Sequence, residues 1–276
     1  MSQLVFSAVL AAQLAWQPVP LEGARQTELV SVHTGHTYLI QAAALGPAPP
    51  QGYPVLYILD GRRLFPAAVS TAATVMNNPF AGTRSPVLVV GIDYADRTHS
   101  LQLRSRDYTP PLPEPADEAE QQKFGGAAAF SHFINRELKP VVAAAYPVDT
   151  VRQALFGHSY GGLFAAYSLS VAPQQFSEYL MASPSLWQQQ GRLPKPAPHS
   201  LSGVGVRISA GSLEQAVDER SRSRAMIDNA RRYNRLLQNH GADSGFSVNE
   251  GENHGSNALR ALHEGIKFLE PRWRQP

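Results

Sequence analysis

The six residues from Gly157 to Gly162, Gly-His-Ser-Tyr-Gly-Gly, constrain the fold of this chain more than any others. They follow the apolar run Val151 to Phe156, which is typical of a strand, and they lead into a helical composition from Gly162 to Leu169. A G-x-S-x-G sequence in that context predicts a sharp strand-to-helix turn that holds the serine hydroxyl out of the sheet. Side chains in place of the flanking glycines would collide with the strand and the helix. Ser159 is therefore the candidate nucleophile.

Apolar runs of strand length alternate with helical segments along the rest of the chain, which predicts an α/β fold with a mostly parallel central sheet flanked by helices. Two short strands around a His-Thr-Gly-His turn predict an N-terminal antiparallel hairpin. No repeat or linker divides the sequence. The predicted strands are Thr27 to Ser31, Thr37 to Ala44, Tyr53 to Leu59, Pro86 to Gly91, Val151 to Phe156, Glu178 to Ala182, Val204 to Ala210 and Phe246 to Val248; the predicted helices are Phe65 to Met76, Gly126 to Ala145 with a break at Pro140, Gly162 to Leu169, Asp218 to His240 and Asn257 to Leu269.

Three segments define the predicted organisation. Residues 1–26 form an N-terminal segment whose apolar part, Leu4 to Trp16, is either a signal remnant or an arm packed on the domain edge; it lacks a preceding basic residue. Residues 27–276 form one domain. Within it, residues 109–125 are rich in proline and then acidic, which predicts a long surface excursion.

A serine hydroxyl needs a base, and in this arrangement the partners follow in the order serine, acid, histidine. His254 is the candidate base because Glu-Asn-His-Gly-Ser forms a polar turn between the last strand and the last helix, at the carboxyl end of the sheet. The other histidines that follow Ser159 have simpler explanations in a loop or on a helix surface; they are His199, His240 and His263.

The candidate acid is Glu214, which comes just after the strand Val204 to Ala210 and would hold the imidazole tautomer. Asp218, Glu250 and Glu252 are alternatives. The oxyanion hole needs two backbone donors. One is predicted to be the amide of Tyr160, and the other an amide of the loop after Tyr53 to Leu59, at Gly61 or Arg62.

Five segments together resemble the "putative esterase" family of α/β-hydrolases, and within it the siderophore esterases that open the trilactone of enterobactin and related catecholates. The resemblance implies an α/β-hydrolase fold, Ser159 as nucleophile and His254 as base; some such esterases resemble Ser-His dyads, which leaves the role of the acid open. Within this group the chain is similar to the compact, periplasmic type. A periplasmic location is therefore expected, with a cytoplasmic location as the alternative. The segments are Tyr53 to Gly61, Arg106 to Pro110, Leu155 to Phe164, Ser183 to Trp187 and Glu252 to Ser256.

The resemblance places Arg106 and Trp187 at the substrate cleft, and the loops after the early strands add Arg62, Arg63 and Arg104. Guanidinium groups bind phenolate oxygens and stack on aromatic rings, as a ferric catecholate requires. The expected partner is a small ester such as a catecholate siderophore. The alternatives are a feruloyl, acetyl or thioester substrate, or a siderophore-binding protein without activity.

Composition excludes several other classes. The formal net charge is only +2, so the chain lacks the broad basic surface of a nucleic-acid-binding protein. There is no cysteine, which excludes disulfides, a thiol nucleophile and cysteine-bound metal. The nine histidines show no metal-ligand spacing with carboxylates. No cofactor or metal is expected, and no apolar segment is long enough for stable membrane insertion.

Overall fold

The structure is a computed structural model that describes residues 19–76, 85–114, 117–189, 192, 195–196, 201–215 and 219–274. Its eight strands form one sheet of order β1-β2-β4-β3-β5-β6-β7-β8. The first two strands pair antiparallel, β2 pairs antiparallel with β4, and every other pair is parallel. The predicted fold class is confirmed. The strands are β1 (Ala24–Val30), β2 (Thr37–Leu45), β3 (Tyr53–Leu59), β4 (Val87–Tyr94), β5 (Val148–His158), β6 (Glu178–Ala182), β7 (Gly205–Gly211) and β8 (Asp243–Asn249).

Helices cover both faces of the sheet, so its central strands are apolar on both sides. In β3 the side chains alternate: Val55, Tyr57 and Leu59 enter one core, and Leu56 and Ile58 the other. The described helices are α1 (Gly61–Val75), α2 (Ser100–Asp107), α3 (Glu118–Lys123), α4 (Ala127–Phe133), α5 (Lys139–Ala145), α6 (Tyr160–Val171), α7 (Glu219–Arg224), α8 (Met226–Asn239) and α9 (Asn257–Trp273).

Two long predicted helices are interrupted. The segment from Gly126 to Ala145 passes through a π-helical turn, Ile134–Leu138, between α4 and α5. The turn ends two residues before Pro140, whose missing N–H removes a helical hydrogen bond, so the predicted break takes the form of a π-helical turn and the segment stays helical on both sides of it. The predicted helix from Asp218 to His240 is instead two helices, because Ala225 has a left-handed φ of 41° between α7 and α8.

Helix α2 lies where the sequence predicts loop. Its eight residues are mostly polar and carry no clear apolar period, so tertiary contacts decide its structure. The buried Asp107 carboxylate accepts hydrogen bonds from the hydroxyls of Tyr38 (2.6 Å) and Tyr94 (3.1 Å), which fix the end of the helix against β2 and β4. This position carries Arg104 and Arg106 on a rigid element rather than on a loop.

Some predictions fall outside the described residues. These are the apolar segment from Leu4 to Trp16, and the alternatives His199 and Asp218. In the described part of the 109–125 excursion, α3 is the regular element. None of the described helices is long and apolar enough to cross a bilayer.

Candidate active site

The turn between β5 and α6 carries Ser159 in a strained backbone conformation, with φ 61° and ψ −116°. A Cβ on Gly157 would lie 2.1 Å from the carbonyl oxygen of Gly161, and a Cβ on Gly162 would lie 2.9 Å from Pro184 Cα. Only glycine allows such close approach of the backbone segments. The glycines on both sides of the serine are therefore required by the tightness of the turn.

The structure brings Ser159, His254 and Glu214 together in one hydrogen-bonded row. His254 lies in the loop between β8 and α9, and its Nε2 is 2.9 Å from Ser159 Oγ. Its Nδ1 is 2.7 Å from Glu214 Oε2, and Glu214 ends a single 3-10 turn directly after β7. The three loops meet at the carboxyl ends of parallel strands, which is why residues 95 and 40 positions apart in sequence become neighbours.

Glu214 is buried and is held at both carboxylate oxygens. Its Oε1 accepts hydrogen bonds from Ser183 Oγ (2.6 Å) and from the Gly211 amide (2.7 Å). Burial alone would raise the pKa of Glu214, but the hydrogen bonds from His254, Ser183 and Gly211 outweigh it and hold the pKa below its usual value. The carboxylate is therefore ionised at neutral pH. Nδ1 of His254 then carries the proton, and Nε2 can accept the proton of Ser159.

Hydrogen bonds from side-chain amides fix the position of Ser183, which in turn binds Glu214. Asn257, the first residue of α9, donates from Nδ2 to Ser183 Oγ (2.8 Å) and to Ser209 Oγ (3.2 Å). Its Oδ1 accepts from Asn249 Nδ2 at 2.7 Å. These contacts join the ends of β7, β8 and α9 to Glu214, so the acid cannot rotate without breaking buried hydrogen bonds.

Gly61 and Arg62, the two candidates for the second oxyanion donor, differ in whether their amides already have an acceptor. Tyr160 and Gly61 are the first residues of α6 and α1, so their amides have no acceptor within their own helices. The Arg62 amide instead donates to Asp93 Oδ2 at 2.8 Å, so it is already occupied, and its prediction as an oxyanion donor is wrong in this arrangement. Gly61 and Tyr160 stay predicted donors.

Arg104 and Arg106 have different roles because helix α2 points their side chains in different directions. Residues two positions apart on a helix point to different sides. Arg104 reaches the cleft, where it binds both carboxylate oxygens of Asp60 (2.6 and 2.8 Å) and the carbonyl of His158 (2.9 Å). Arg106 is exposed, binds the carbonyl of Gln122 at 3.4 Å, and is not among the residues that line the cleft. Its prediction as a substrate contact is not supported.

The cleft extends on both sides of Ser159 and His254. We call its larger part, of about 590 Å³, the aromatic lobe, because Tyr160 and Trp187 line it. We call the other part, of about 440 Å³, the arginine lobe. The aromatic lobe is completed by Ser185, Leu213, Glu214, Arg224, Met226 and Asn253, and the arginine lobe by Asp60, Arg62, Arg63, Asp93, Tyr94, Ser100, Leu101, Arg104 and His158.

Each lobe contains one arginine without a carboxylate partner among the described residues. In the arginine lobe this is Arg63, since Arg104 is paired with Asp60 and Arg62 lies 4.0 Å from Asp93. In the aromatic lobe it is Arg224, whose guanidinium lies 5.1 Å from the centre of the Trp187 ring. Ser159 therefore lies between two guanidinium groups that have no carboxylate partner in the part of the chain that the structure describes.

Arg224 and His158 are two of the cleft residues that sequence reasoning missed. Arg224 lies in a charged segment that resembles any exposed helix, and only the break at Ala225 directs it to the cleft. For His158 the sequence predicts only a place in the glycine-rich turn. Its position next to Ser159, at the end of a buried strand, was a usable signal, since a buried polar side chain there needs specific partners.

His158 gives the stability of the chain a defined pH dependence. Burial, with the positive charges of His254 and Arg63 nearby, lowers its pKa from 6.5 to about 4. As pH falls below 6.5 the unfolded chain takes up a proton that the folded chain excludes until pH 4, so the free energy of unfolding falls. Over this range we expect a loss of about 3 kcal/mol from this residue.

Urea unfolding at pH 7 and pH 4.5 measures this effect. His158→Gln should lose less stability between the two values than the wild type, because glutamine does not titrate. His263→Gln is the matched control, since His263 is exposed on α9, and it should follow the wild type. Equal losses in the wild type and in His158→Gln would contradict the buried neutral histidine.

A larger cavity of about 730 Å³ lies away from the candidate triad, between β7, β8 and α9. Its charged rim is internally paired: Arg207 binds Asp243, and Glu264 binds both Arg260 and Lys267. Its size comes from an open groove beside the edge strand β8, and it contains none of the three residues of the row.

Comparisons with known proteins show which family the chain belongs to. The model of the family described as "Putative esterase" matches residues 42–260. Ferri-bacillibactin esterase BesA of Bacillus subtilis is 35% identical over 80% of this chain and 80% of its own length. A siderophore enterobactin esterase of Emericella nidulans is 35% identical over 78% of this chain and 81% of its own.

Solved structures show the same relationship. The crystal structure of the BES protein from Bacillus cereus superposes with a TM-score of 0.76 at 29% identity, covering 93% of this chain and 99% of that one. The family match spans strands β3 to β8 and so includes Ser159, Glu214 and His254. The chain therefore belongs to the "Putative esterase" family, and it is a serine ester hydrolase of the α/β-hydrolase fold.

Proposed function

We propose that this enzyme hydrolyses the ester bonds of a siderophore, with a catecholate trilactone of the enterobactin type as its preferred substrate. The names of its relatives, ferri-bacillibactin esterase and siderophore enterobactin esterase, support the substrate class. The observation that carries the proposal is the Ser159–His254–Glu214 row between Arg63 and Arg224, neither of which has a carboxylate partner among the described residues. No cofactor enters the reaction.

In the proposed acylation step, Ser159 Oγ attacks the ester carbonyl as its proton passes to His254 Nε2, 2.9 Å away. Glu214 stabilises the imidazolium through its 2.7 Å contact with Nδ1. The tetrahedral oxyanion is bound by the amides of Tyr160 and Gly61. The imidazolium then protonates the leaving alcohol oxygen, which leaves an acyl-enzyme.

In the deacylation step, a water molecule takes the place of the leaving alcohol. His254 Nε2 removes its proton, hydroxide oxygen bonds to the acyl carbon, and the same amides stabilise the second oxyanion. Collapse of this intermediate returns the proton to Ser159 Oγ and releases the acid. In a trilactone, the first of three such cycles would open the ring, and the other two would cleave the ester bonds of the linear products.

The surroundings of the row fit an aromatic polyanion. Catecholates are anionic and have flat π faces, which arginine and tryptophan recognise together. Trp187 and Tyr160 lie 6.4 Å apart between ring centres, with Arg224 over the Trp187 ring. Because Arg63 lies in the opposite lobe, a ligand with several catecholate arms could contact both cations while one ester reaches Ser159.

Chromatography of enterobactin hydrolysis tests the proposal. We expect the wild type to cleave the apo or ferric trilactone with a kcat/KM at least a hundredfold above that for p-nitrophenyl butyrate or methyl ferulate, since only the trilactone meets both arginines. Ser159→Ala is the blank. Faster turnover of the simple esters would replace this substrate with an ordinary acyl ester. We further propose that this hydrolysis aids iron release and that it takes place in the periplasm. Growth on the ferric siderophore tests the first proposal, and cell fractionation tests the second.

A further inference from the structure

His158 lies beside the catalytic row but belongs to none of its hydrogen bonds. It is the last residue of β5, immediately before Ser159, and only 4% of its surface is exposed. Its ring centre lies 4.8 Å from that of His254. A polar ring buried at this point needs partners for both nitrogens.

Both nitrogens have partners of fixed character. Nε2 lies 2.6 Å from the backbone carbonyl oxygen of His254, and Nδ1 lies 2.9 Å from Nη2 of Arg63. A carbonyl oxygen only accepts a hydrogen bond, and a guanidinium only donates. Nε2 must therefore carry the proton, Nδ1 must be unprotonated, and the ring must be neutral.

We propose that His158 is a positioning residue that fixes two functional parts of the site at once: the main chain that carries the base His254, and the guanidinium of Arg63 in the arginine lobe. The Nε2 bond holds the His254 loop, and with it the distance from the imidazole to Ser159. The Nδ1 bond holds Arg63, which has no carboxylate partner among the described residues, in place for an anionic substrate group.

Hydrogen bonds hold the backbone of His158 in place. Its own carbonyl accepts a hydrogen bond from Arg104 Nη2 at 2.9 Å, and Arg104 is held by both oxygens of Asp60. Its backbone pairs in the sheet with Ala182 of β6. The ring is thus attached to a strand of the sheet, and its two partners are the His254 loop and the long Arg63 side chain.

Two amide replacements separate the two bonds. The amide of asparagine overlaps Nδ1 of histidine, so His158→Asn can still accept from Arg63 but does not reach the His254 carbonyl. The amide of glutamine overlaps Nε2, so His158→Gln can still donate to His254 but does not reach Arg63. Arg63→Gln serves as the reference for loss of the cation, and His263→Asn and His263→Gln are matched controls on the exposed face of α9.

The readouts are kcat for p-nitrophenyl butyrate, a neutral ester, and the inhibition constant of 2,3-dihydroxybenzoate, an aromatic anion. We expect His158→Asn to lower kcat at least tenfold, and by more than His158→Gln does. We expect His158→Gln to raise the inhibition constant at least threefold, as Arg63→Gln does, and by more than His158→Asn does. The split between the variants is something a purely packing role would not produce.

Loss of kcat and of inhibitor affinity in equal proportion in both variants would overturn the proposal, as would unchanged values in both. A wild type that 2,3-dihydroxybenzoate does not inhibit would overturn the Arg63 half. Melting temperature and far-UV circular dichroism confirm that each variant is folded. The Arg63 half rests on the proposed function, but neither probe is a siderophore, so failure of trilactone cleavage is seen separately from failure of this inference.

Discussion

Replacing Ser159 with alanine is expected to lower kcat by about 10⁵- to 10⁶-fold, the loss that follows removal of a serine nucleophile from a triad. The alanine keeps the turn and both proposed oxyanion donors, so a small residual rate over water should remain. Hydrolysis of p-nitrophenyl butyrate measures the loss, and mass spectrometry of fluorophosphonate-treated protein should show no adduct. The wild type should carry one adduct, on the peptide that contains Ser159.

Ser159→Gly should be equally inactive but more stable than Ser159→Ala. The residue has φ 61° and ψ −116°, where a side chain is strained and glycine is not. We expect the free energy of unfolding of the glycine variant to exceed that of the alanine variant by about 1 kcal/mol. Urea unfolding at pH 7 compares them.

Two outcomes would contradict this account. A Ser159→Ala enzyme within tenfold of the wild type would remove Ser159 as nucleophile. A glycine variant less stable than the alanine variant would show that the turn is not strained. His263→Ala is the matched control for both measurements, because its side chain is exposed on α9 and away from the cleft.

The parts of the site that sequence could predict are those fixed by local rules. The turn at Ser159 follows from glycine sterics between a strand and a helix. His254 and Glu214 each follow a strand whose carboxyl end faces the same edge of the sheet, so chain order alone brings them near Ser159. The hairpin and the central strands follow from apolar periodicity. These features need no knowledge of distant contacts.

The rest depends on tertiary contacts. Helix α2 forms from a polar segment because Asp107 is fixed by Tyr38 and Tyr94, and its helical geometry then sends Arg104 into the cleft and Arg106 away from it. The Arg62 amide is occupied because Asp93, from β4, lies next to it. No pattern within either segment records those neighbours.

Replacing Glu214 with glutamine is the most direct test of whether the acid works, since the resemblance to Ser-His dyads leaves that open. Oε1 of Glu214 accepts from the Gly211 amide and from Ser183 Oγ. A backbone amide can only donate, so the glutamine oxygen must take this position and its NH₂ must face His254 Nδ1. That forces the proton of the imidazole onto Nε2, where it blocks transfer from Ser159.

We therefore expect Glu214→Gln to lower kcat by about 10⁴-fold, the effect of the wrong tautomer in a serine triad, while the shape of the side chain and the melting temperature stay close to those of the wild type. Glu250→Gln is the matched control, because Glu250 was an alternative acid in the sequence but is exposed after β8. It should stay within twofold. A dyad would give less than a tenfold loss for Glu214→Gln. A large loss in Glu250→Gln would instead move the acid to the histidine loop, against the 2.7 Å contact between Glu214 and His254.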